Sequence, residues 1–400
     1  MTIWYVCLSI AFAAISIPLY KLDSELNFTK HSVLDIISPQ RALYTSSSMT
    51  NYQNYQYYIR ASIGTPAQVF TFMVDTGSTW AWIDWNKCSN CHTGTKFDPE
   101  TSSSYHNTSQ IESITYLKGS TKGYISTDIF SIGDDASLSV YGHSFLLVYE
   151  EADNDNMQMD GLIGFAFDAL SGGTNSLMSS LKNQGRIQKQ QFSVYLNDAR
   201  SYTDLVSLGS SLLMIDGYDL SKYSSQGSFT YIDLANYMGH WVVECDGVDF
   251  NGTKLTEAQT AIIDTGTSLI IGPQASVLKI LQILYYQFDC SADTQNNIYC
   301  NCDSAYPDLK FILSGHTFAI KPIDYFMVSQ GRCYPVFGYS SSLNFWLLGD
   351  SFIRRFYINF DMEKRRIGFA KIKSLNDLGI GIESIPLWKM LLLIIITLDI

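Results

Sequence analysis

The chain has 400 residues, room for two sizeable domains with processing segments at either end. Acidic residues outnumber basic ones 38 to 26, a net charge of −12, and no extended basic run occurs, which argues against nucleic acid as a partner. Such a balance suits a protein that works in acid, where carboxylates titrate and moderate the charge.

Residues 3–17 are almost wholly apolar, and Ala14-Ile15-Ser16 offers small residues at the −3 and −1 positions of a cleavage site. Residues 1–16 therefore read as a signal peptide; the alternative is an uncleaved anchor, short for a membrane span. Three glycosylation sequons, at Asn27, Asn107 and Asn251, agree with passage through the secretory pathway. Stretches such as Tyr57–Ile63 and Phe318–Lys321 read as strands, and helical patterns are short, over Ser176 to Asn183 and Ala275 to Phe288. The chain is expected to be mostly β.

One motif occurs in each half. Asp75-Thr76-Gly77-Ser78 follows the apolar run Phe72-Met73-Val74, and Asp264-Thr265-Gly266-Thr267 follows Ala261-Ile262-Ile263. A hydrophobic strand thus delivers an Asp into a tight Gly turn twice. A single copy is compatible with an ordinary turn. A second repeat goes further: Leu162-Ile163-Gly164 lies 87 residues after Asp75, and Leu347-Leu348-Gly349 lies 83 residues after Asp264. Two elements recurring in the same order indicate a duplicated domain. Two such loops can set two carboxylates face to face, holding one proton between them, which is acid/base chemistry on a water molecule.

Cys7 lies in the apolar leader and leaves seven cysteines. Cys88-Ser89-Asn90-Cys91 is compatible with half a zinc site or a redox motif, but no second such pair and no clustered His supports either. Cys290, Cys300, Cys302 and Cys333 allow three pairings. Cys245, in an apparent strand, reads as a free buried thiol. Phosphate-binding Gly loops, HExxH and the nucleophile elbow are absent from the sequence.

The two Asp loops occur with Ile63-Gly64-Thr65-Pro66-Ala67-Gln68, Phe97-Asp98-Pro99, Ser102-Ser103-Ser104, Asp160-Gly161-Leu162-Ile163-Gly164, Gln191-Phe192-Ser193-Val194-Tyr195-Leu196, Trp346-Leu347-Leu348-Gly349-Asp350 and Gly368-Phe369-Ala370. In this order, from about Tyr57 to about Lys371, the set resembles the pepsin-like aspartic proteases. The resemblance implies a bilobal fold: two pseudo-two-fold related, β-barrel-like lobes over residues 51–207 and 208–372, with a cleft between them. A pro-segment would fill residues 17–50, with Lys21, Lys30 and Arg41 as candidates to block the cleft, although the family's usual Lys-Tyr stop is missing.

The same resemblance makes Asp75 and Asp264 the catalytic dyad of an endopeptidase active in acid, needing no metal and no cofactor. Thr76 and Thr265 would lock the loops together, Gly77 and Gly266 would admit backbone N–H groups, and Ser78 and Thr267 would donate to the carboxylates. Ser113 to Ser120 resembles the family's flap, with Tyr116 bonding to Trp82 and Gly119 in the hairpin; Leu117 stands where Gly is usual, and Lys118 follows. Met73, Tyr116 and Leu162 would line a pocket for apolar residues at the cut. Cys88–Cys91 matches the small loop after the first Asp loop, and the family pattern favours Cys300–Cys333, leaving Cys290–Cys302. Implied partners are protein or peptide substrates, pepstatin-like inhibitors and the chain's own pro-segment, around a monomer. An inactive, peptide-binding relative of the same fold is the alternative.

Beyond Ile372, a polar spacer leads to the apolar run Leu387 to Leu398, too short to span a bilayer comfortably. Small residues, spacer and apolar tail over 373–400 fit a GPI-attachment signal. A short tail anchor or a helix packed on the body are the alternatives. The expected location is therefore the secretory pathway: the cell exterior, a lysosome-like compartment or an anchored surface form.

Overall fold

The computed structural model describes residues 45–52, 56–92, 94–116, 119–133, 136–152, 157–198, 211–235, 239–293 and 297–373. The leader, Asn27, Lys21, Lys30, Arg41, the junction at residues 207 and 208, the flap residues Leu117 and Lys118, and the tail from residue 374 lie outside them.

The first eight strands of the described residues are β1 (Thr45–Tyr52), β2 (Gln56–Ile63), β3 (Gln68–Asp75), β4 (Ala81–Asp84), β5 (His106–Thr115), β6 (Ser120–Ile132), β7 (Ser139–Ala152) and β8 (Gly161–Gly164). They lie side by side as β1-β2-β3-β8-β4-β7-β6-β5. β4 and β8 are buried at every position, as is the second half of β3. Their runs of Phe, Met, Val, Ile and Leu fit strands covered on both faces, where no polar alternation is needed. β6 alternates buried and half-buried positions over most of its length, as a strand covered on one face does.

β3 runs parallel to β8, with Asp75 opposite Gly164, and β8 is antiparallel to β4. The second half repeats this unit: Thr253–Ile263 runs parallel to Phe345–Leu348, which pairs antiparallel with Ile270–Pro273. The glycine ending each repeat lies where the Asp loop passes over it. A Cβ on Gly164 would sit 2.4 Å from the Thr79 carbonyl carbon, and one on Gly349 would sit 2.0 Å from the Thr267 carbonyl oxygen. The duplication read in the sequence is thus one structural unit built twice.

β1 pairs with Ser211–Ile215 on one side and β2 on the other, so one strand runs through residues 50 and 51, where the pro-segment was expected to end. Aromatic side chains fill the region between the halves. Phe192 stacks on Phe360 at 4.7 Å, Trp241 meets Phe360 edge-on at 4.9 Å, and Trp241 Nε1–H donates to the Phe165 carbonyl at 3.0 Å. Each such ring pair adds about 0.5–1.5 kcal/mol beyond its burial.

The helix Leu177–Asn183 is capped by Ser176, whose hydroxyl accepts from the Ser179 N–H at 3.2 Å. The helix Gln274–Gln287 buries Val277, Ile280, Ile283 and Leu284, one face of a 3.6-residue period.

Among the described residues three disulfides are formed, Cys88–Cys91, Cys290–Cys300 and Cys302–Cys333, and Cys245 is a buried free thiol. The last two bonds correct the expected Cys300–Cys333 and Cys290–Cys302 pairs. The reason lies in strand register. Cys300 stands opposite Cys290 in one ladder and opposite Cys333 in the next. It bonds the first and leaves Cys302, two residues on, to reach Cys333.

Candidate active site

Asp75 ends β3 and Asp264 follows Thr253–Ile263, both with no exposed surface. Their surroundings mirror each other. Gly77 N–H donates to Asp75 Oδ1 at 2.8 Å and Gly266 N–H to Asp264 Oδ1 at 2.9 Å. The Ser78 hydroxyl donates to Asp75 Oδ2, and Thr267 Oγ1 donates to Asp264 Oδ2 at 2.7 Å. The carboxylates approach closely: a Cβ on Gly266 would lie 2.4 Å from Asp75 Oδ1 and 3.2 Å from Asp264 Oδ1. Burial, then the charge of Asp75, holds the Asp264 carboxyl well above the usual carboxylate range.

The loops are tied crosswise. Thr76 N–H donates to Thr265 Oγ1 at 3.1 Å, and Thr265 N–H donates to Thr76 Oγ1 at 2.9 Å. Each hydroxyl in turn donates to the opposite strand, Thr76 Oγ1 to the Ile263 carbonyl at 2.9 Å and Thr265 Oγ1 to the Val74 carbonyl at 2.6 Å. All four groups are buried, so each donor and acceptor finds its partner in the other half.

The β5–β6 hairpin supplies one wall. Tyr116 follows β5, its N–H donates to the Gly119 carbonyl at 3.0 Å, and Gly119 takes φ +84°, a conformation that favours glycine. Trp82 Nε1–H donates to Tyr116 Oη at 2.7 Å. Met73, Trp82, Tyr116 and Leu162 pack in one cluster with Trp80, Ile114, Met157 and Met159. No motif marks Trp80, Met157 or Met159, so only the packing reveals their place in this wall.

Two further features escaped sequence reading. His240 Nδ1 lies 3.1 Å from the Gly77 carbonyl, tying the second half to the first Asp loop, and burial holds its imidazole below its usual range against the pull of that bond. Behind Trp82, His92 sits between Asp84 and Glu151, with Nδ1 3.1 Å from Asp84 Oδ2 and 3.0 Å from Glu151 Oε2. Asp84, Cys91 and Glu151 also converge, but the Cys91 sulfur is engaged in its disulfide.

Asn107 is exposed on β5, and Asn251 is exposed in a turn at φ +54°. Among the described residues, no helix is long and apolar enough to cross a membrane.

Two mirrored Asp loops on a duplicated β unit define a class, and sequence comparison gives the same class. The model of the family described as eukaryotic aspartyl protease matches residues 56–372. A pepsin A of Bos taurus is 30% identical over 347 residues, covering 82% of this chain and 88% of the relative. A vacuolar aspartic protease of Candida albicans is 31% identical over 352 residues, covering 84% and 80%. The chain belongs to the eukaryotic aspartyl protease family; its fold is the mostly β, bilobal pepsin-like fold. It is a hydrolase, an endopeptidase of the aspartic type.

Proposed function

We propose that Asp75 and Asp264 cleave peptide bonds in acid by sharing one proton and one water. The observation that carries this reading is the mirrored pair of carboxylates, each fixed by a backbone N–H and a hydroxyl, with Asp264 held protonated by burial and by its neighbour. The ionised member takes a proton from water, and the protonated one hydrogen-bonds the substrate carbonyl. The carbonyl oxygen becomes a hydroxyl as water adds, and a proton then passes to the leaving nitrogen. Like charges so close cannot both ionise easily, so the pair titrates as a unit. Activity should peak at roughly pH 3–5 and fall towards neutrality as the second proton leaves.

Tyr116 on its hairpin closes over the substrate, and the Met73, Tyr116 and Leu162 surface favours Phe, Leu, Met or Tyr at the cut. The lobes extend over 51–207 and 208–372, behind a pro-segment. Exposed Asn107 and Asn251 are open to glycosylation in the secretory pathway, and the tail suits a membrane-attached form.

The test is proteolysis of a denatured protein across pH 2–8, with and without pepstatin, beside Asp75→Asn and Asp264→Asn. Acid activity lost to the inhibitor and to either substitution supports the dyad. Folded, processed protein without activity would leave a peptide-binding member of the family.

A further inference from the structure

The Asp84–His92–Glu151 cluster holds two carboxylates and one imidazole, all nearly inaccessible to solvent. Glu151 Oε2 accepts from the His92 backbone N–H at 2.7 Å as well as facing Nδ1. His92 Nε2–H donates to the Met159 carbonyl at 2.7 Å, so both ring nitrogens are engaged as donors and the ring is an imidazolium. Its single Nδ1–H is shared, 3.0 Å from Glu151 Oε2 and 3.1 Å from Asp84 Oδ2, and among the described residues Asp84 has no donor besides that shared proton. One positive charge thus faces two buried carboxylates, and the second carboxylate has no donor of its own. An ionised group in that state is costly, and it gains a proton instead.

The surroundings leave this imbalance in place. From the segment after β4, the Lys96 ammonium donates to the Cys88 carbonyl at 2.8 Å, its charge acting on Asp84 more weakly than the cluster's own members. Before β8, Asp160 adds another carboxylate beside Gly94, accepting from the Thr95 N–H at 2.5 Å. On β7, Glu150 turns outward to Lys122 at 3.9 Å. Trp82 is two residues before Asp84 on β4 and shares its face; its ring meets the His92 ring edge-on at 6.4 Å. The cluster therefore supports the ring that holds Tyr116.

We propose that Asp84, His92 and Glu151 form a proton-dependent positioning triad, which holds the Trp82–Tyr116 wall in place while Asp84 is protonated and loosens it when Asp84 ionises. Burial, with Glu151 adding and His92 opposing, raises the Asp84 carboxyl to about 6. Burial alone would lower His92, but the two carboxylates outweigh it and hold the imidazolium up to about 10. Asp84 has its raised value only in the folded state, so its contribution to stability is full below the unfolded value of 3.8 and is lost as pH rises through about 6. His92 keeps its charge across that window. The wall thus works where the dyad works and fails above it, for a separate reason.

The inference rests on the reading of Trp82 and Tyr116 as a wall of the cleft, so its test includes readouts that need no activity. Thermal midpoints of the full chain would be measured from pH 4 to 7 in an Asp75→Asn background, which removes self-digestion; Asp264 titrates alike in every variant compared, so the differences report on the cluster. Asp84→Asn should flatten the decline in midpoint by several degrees, and His92→Gln should steepen it. In the active background, Asp84→Asn should raise the ratio of kcat/KM at pH 6.5 to that at pH 4 at least threefold. If Asp84→Asn does not fold, hydrogen exchange of the unsubstituted cluster, corrected for intrinsic rate, should show protection of 81–92 falling between pH 5 and 7. Parallel melting profiles, or protection that does not change with pH, would overturn the proposal. Absence of proteolysis with these shifts intact would instead count against the dyad.

Discussion

Gly266 shows how much of the candidate site depends on what is missing from a residue. Its hydrogen stands where any larger group would strike the Asp75 carboxylate, 2.4 Å from the position of a Cβ. Gly266→Ala should therefore displace Asp75 while the fold survives, because the strain falls on one loop. A misplacement of about 1 Å can cost about a hundredfold in rate. We expect kcat to fall at least about that much, with circular dichroism and melting near wild type; an active Gly266→Ala would refute the close approach. The Asp-Thr-Gly loops were legible because every residue in them has a local backbone or donor role. Glu151 was not: 59 residues separate it from His92, and nothing around either residue names the other. A buried charge cluster is written in long-range contacts, and sequence periodicity carries no such signal.

At the scale of elements, the hairpin is tied to β4 by the bond from Trp82 Nε1–H to Tyr116 Oη. Trp82 is 1% exposed, so removing the hydroxyl leaves the indole N–H without water to replace it. Such an orphaned donor costs about 1–3 kcal/mol, whereas deleting both partners costs less. Tyr116→Phe should lower kcat/KM about tenfold, equivalent to about 1.4 kcal/mol. Trp82→Phe with Tyr116→Phe should be less damaging to the melting temperature than the sum of the two single changes. A strictly additive cycle would mean that the bond contributes little. Several elements were readable: the strand over Tyr57–Ile63, the apolar run Phe72-Met73-Val74 that ends β3, and the Leu162-Ile163-Gly164 repeat that forms β8. Disulfide pairing was not, because Cys300 has a cysteine opposite it on each side, and register decides between them.

Across the whole molecule, buried ionisable groups pull stability in two directions. Asp84 rises from 3.8 to about 6, corresponding to about 3 kcal/mol lost as pH climbs through that interval. His143 is the opposite case: buried, with Nδ1 3.0 Å from Ser180 Oγ, it falls from 6.5 to about 4. Its contribution is complete above 6.5 and is lost as pH drops through about 4, again about 3 kcal/mol. The two nearly offset each other between pH 4 and 6. Asp264 and Asp350, both raised mainly by burial, then set the net slope, and stability should decline towards neutral pH. His143→Gln should make the fall in melting temperature from pH 4 to 7 larger than in wild type, measured with Asp75→Asn to prevent self-digestion. An unchanged fall would mean that His143 is already charged in the folded protein.

The crossed threonines give this molecule an unusual dependence on staying whole. Thr76 is held by Thr265 and Ile263, and Thr265 by Thr76 and Val74, so neither half completes its own loop. A fragment carrying one half would retain an acidic side chain and most of a barrel, yet its threonine would face water and its carboxylate would be free to turn. Prying the halves apart by even the reach of a hydrogen bond should silence both carboxylates together, with no partly active intermediate. Any agent that wedges between the halves, far from the substrate groove, would then act as a complete inhibitor.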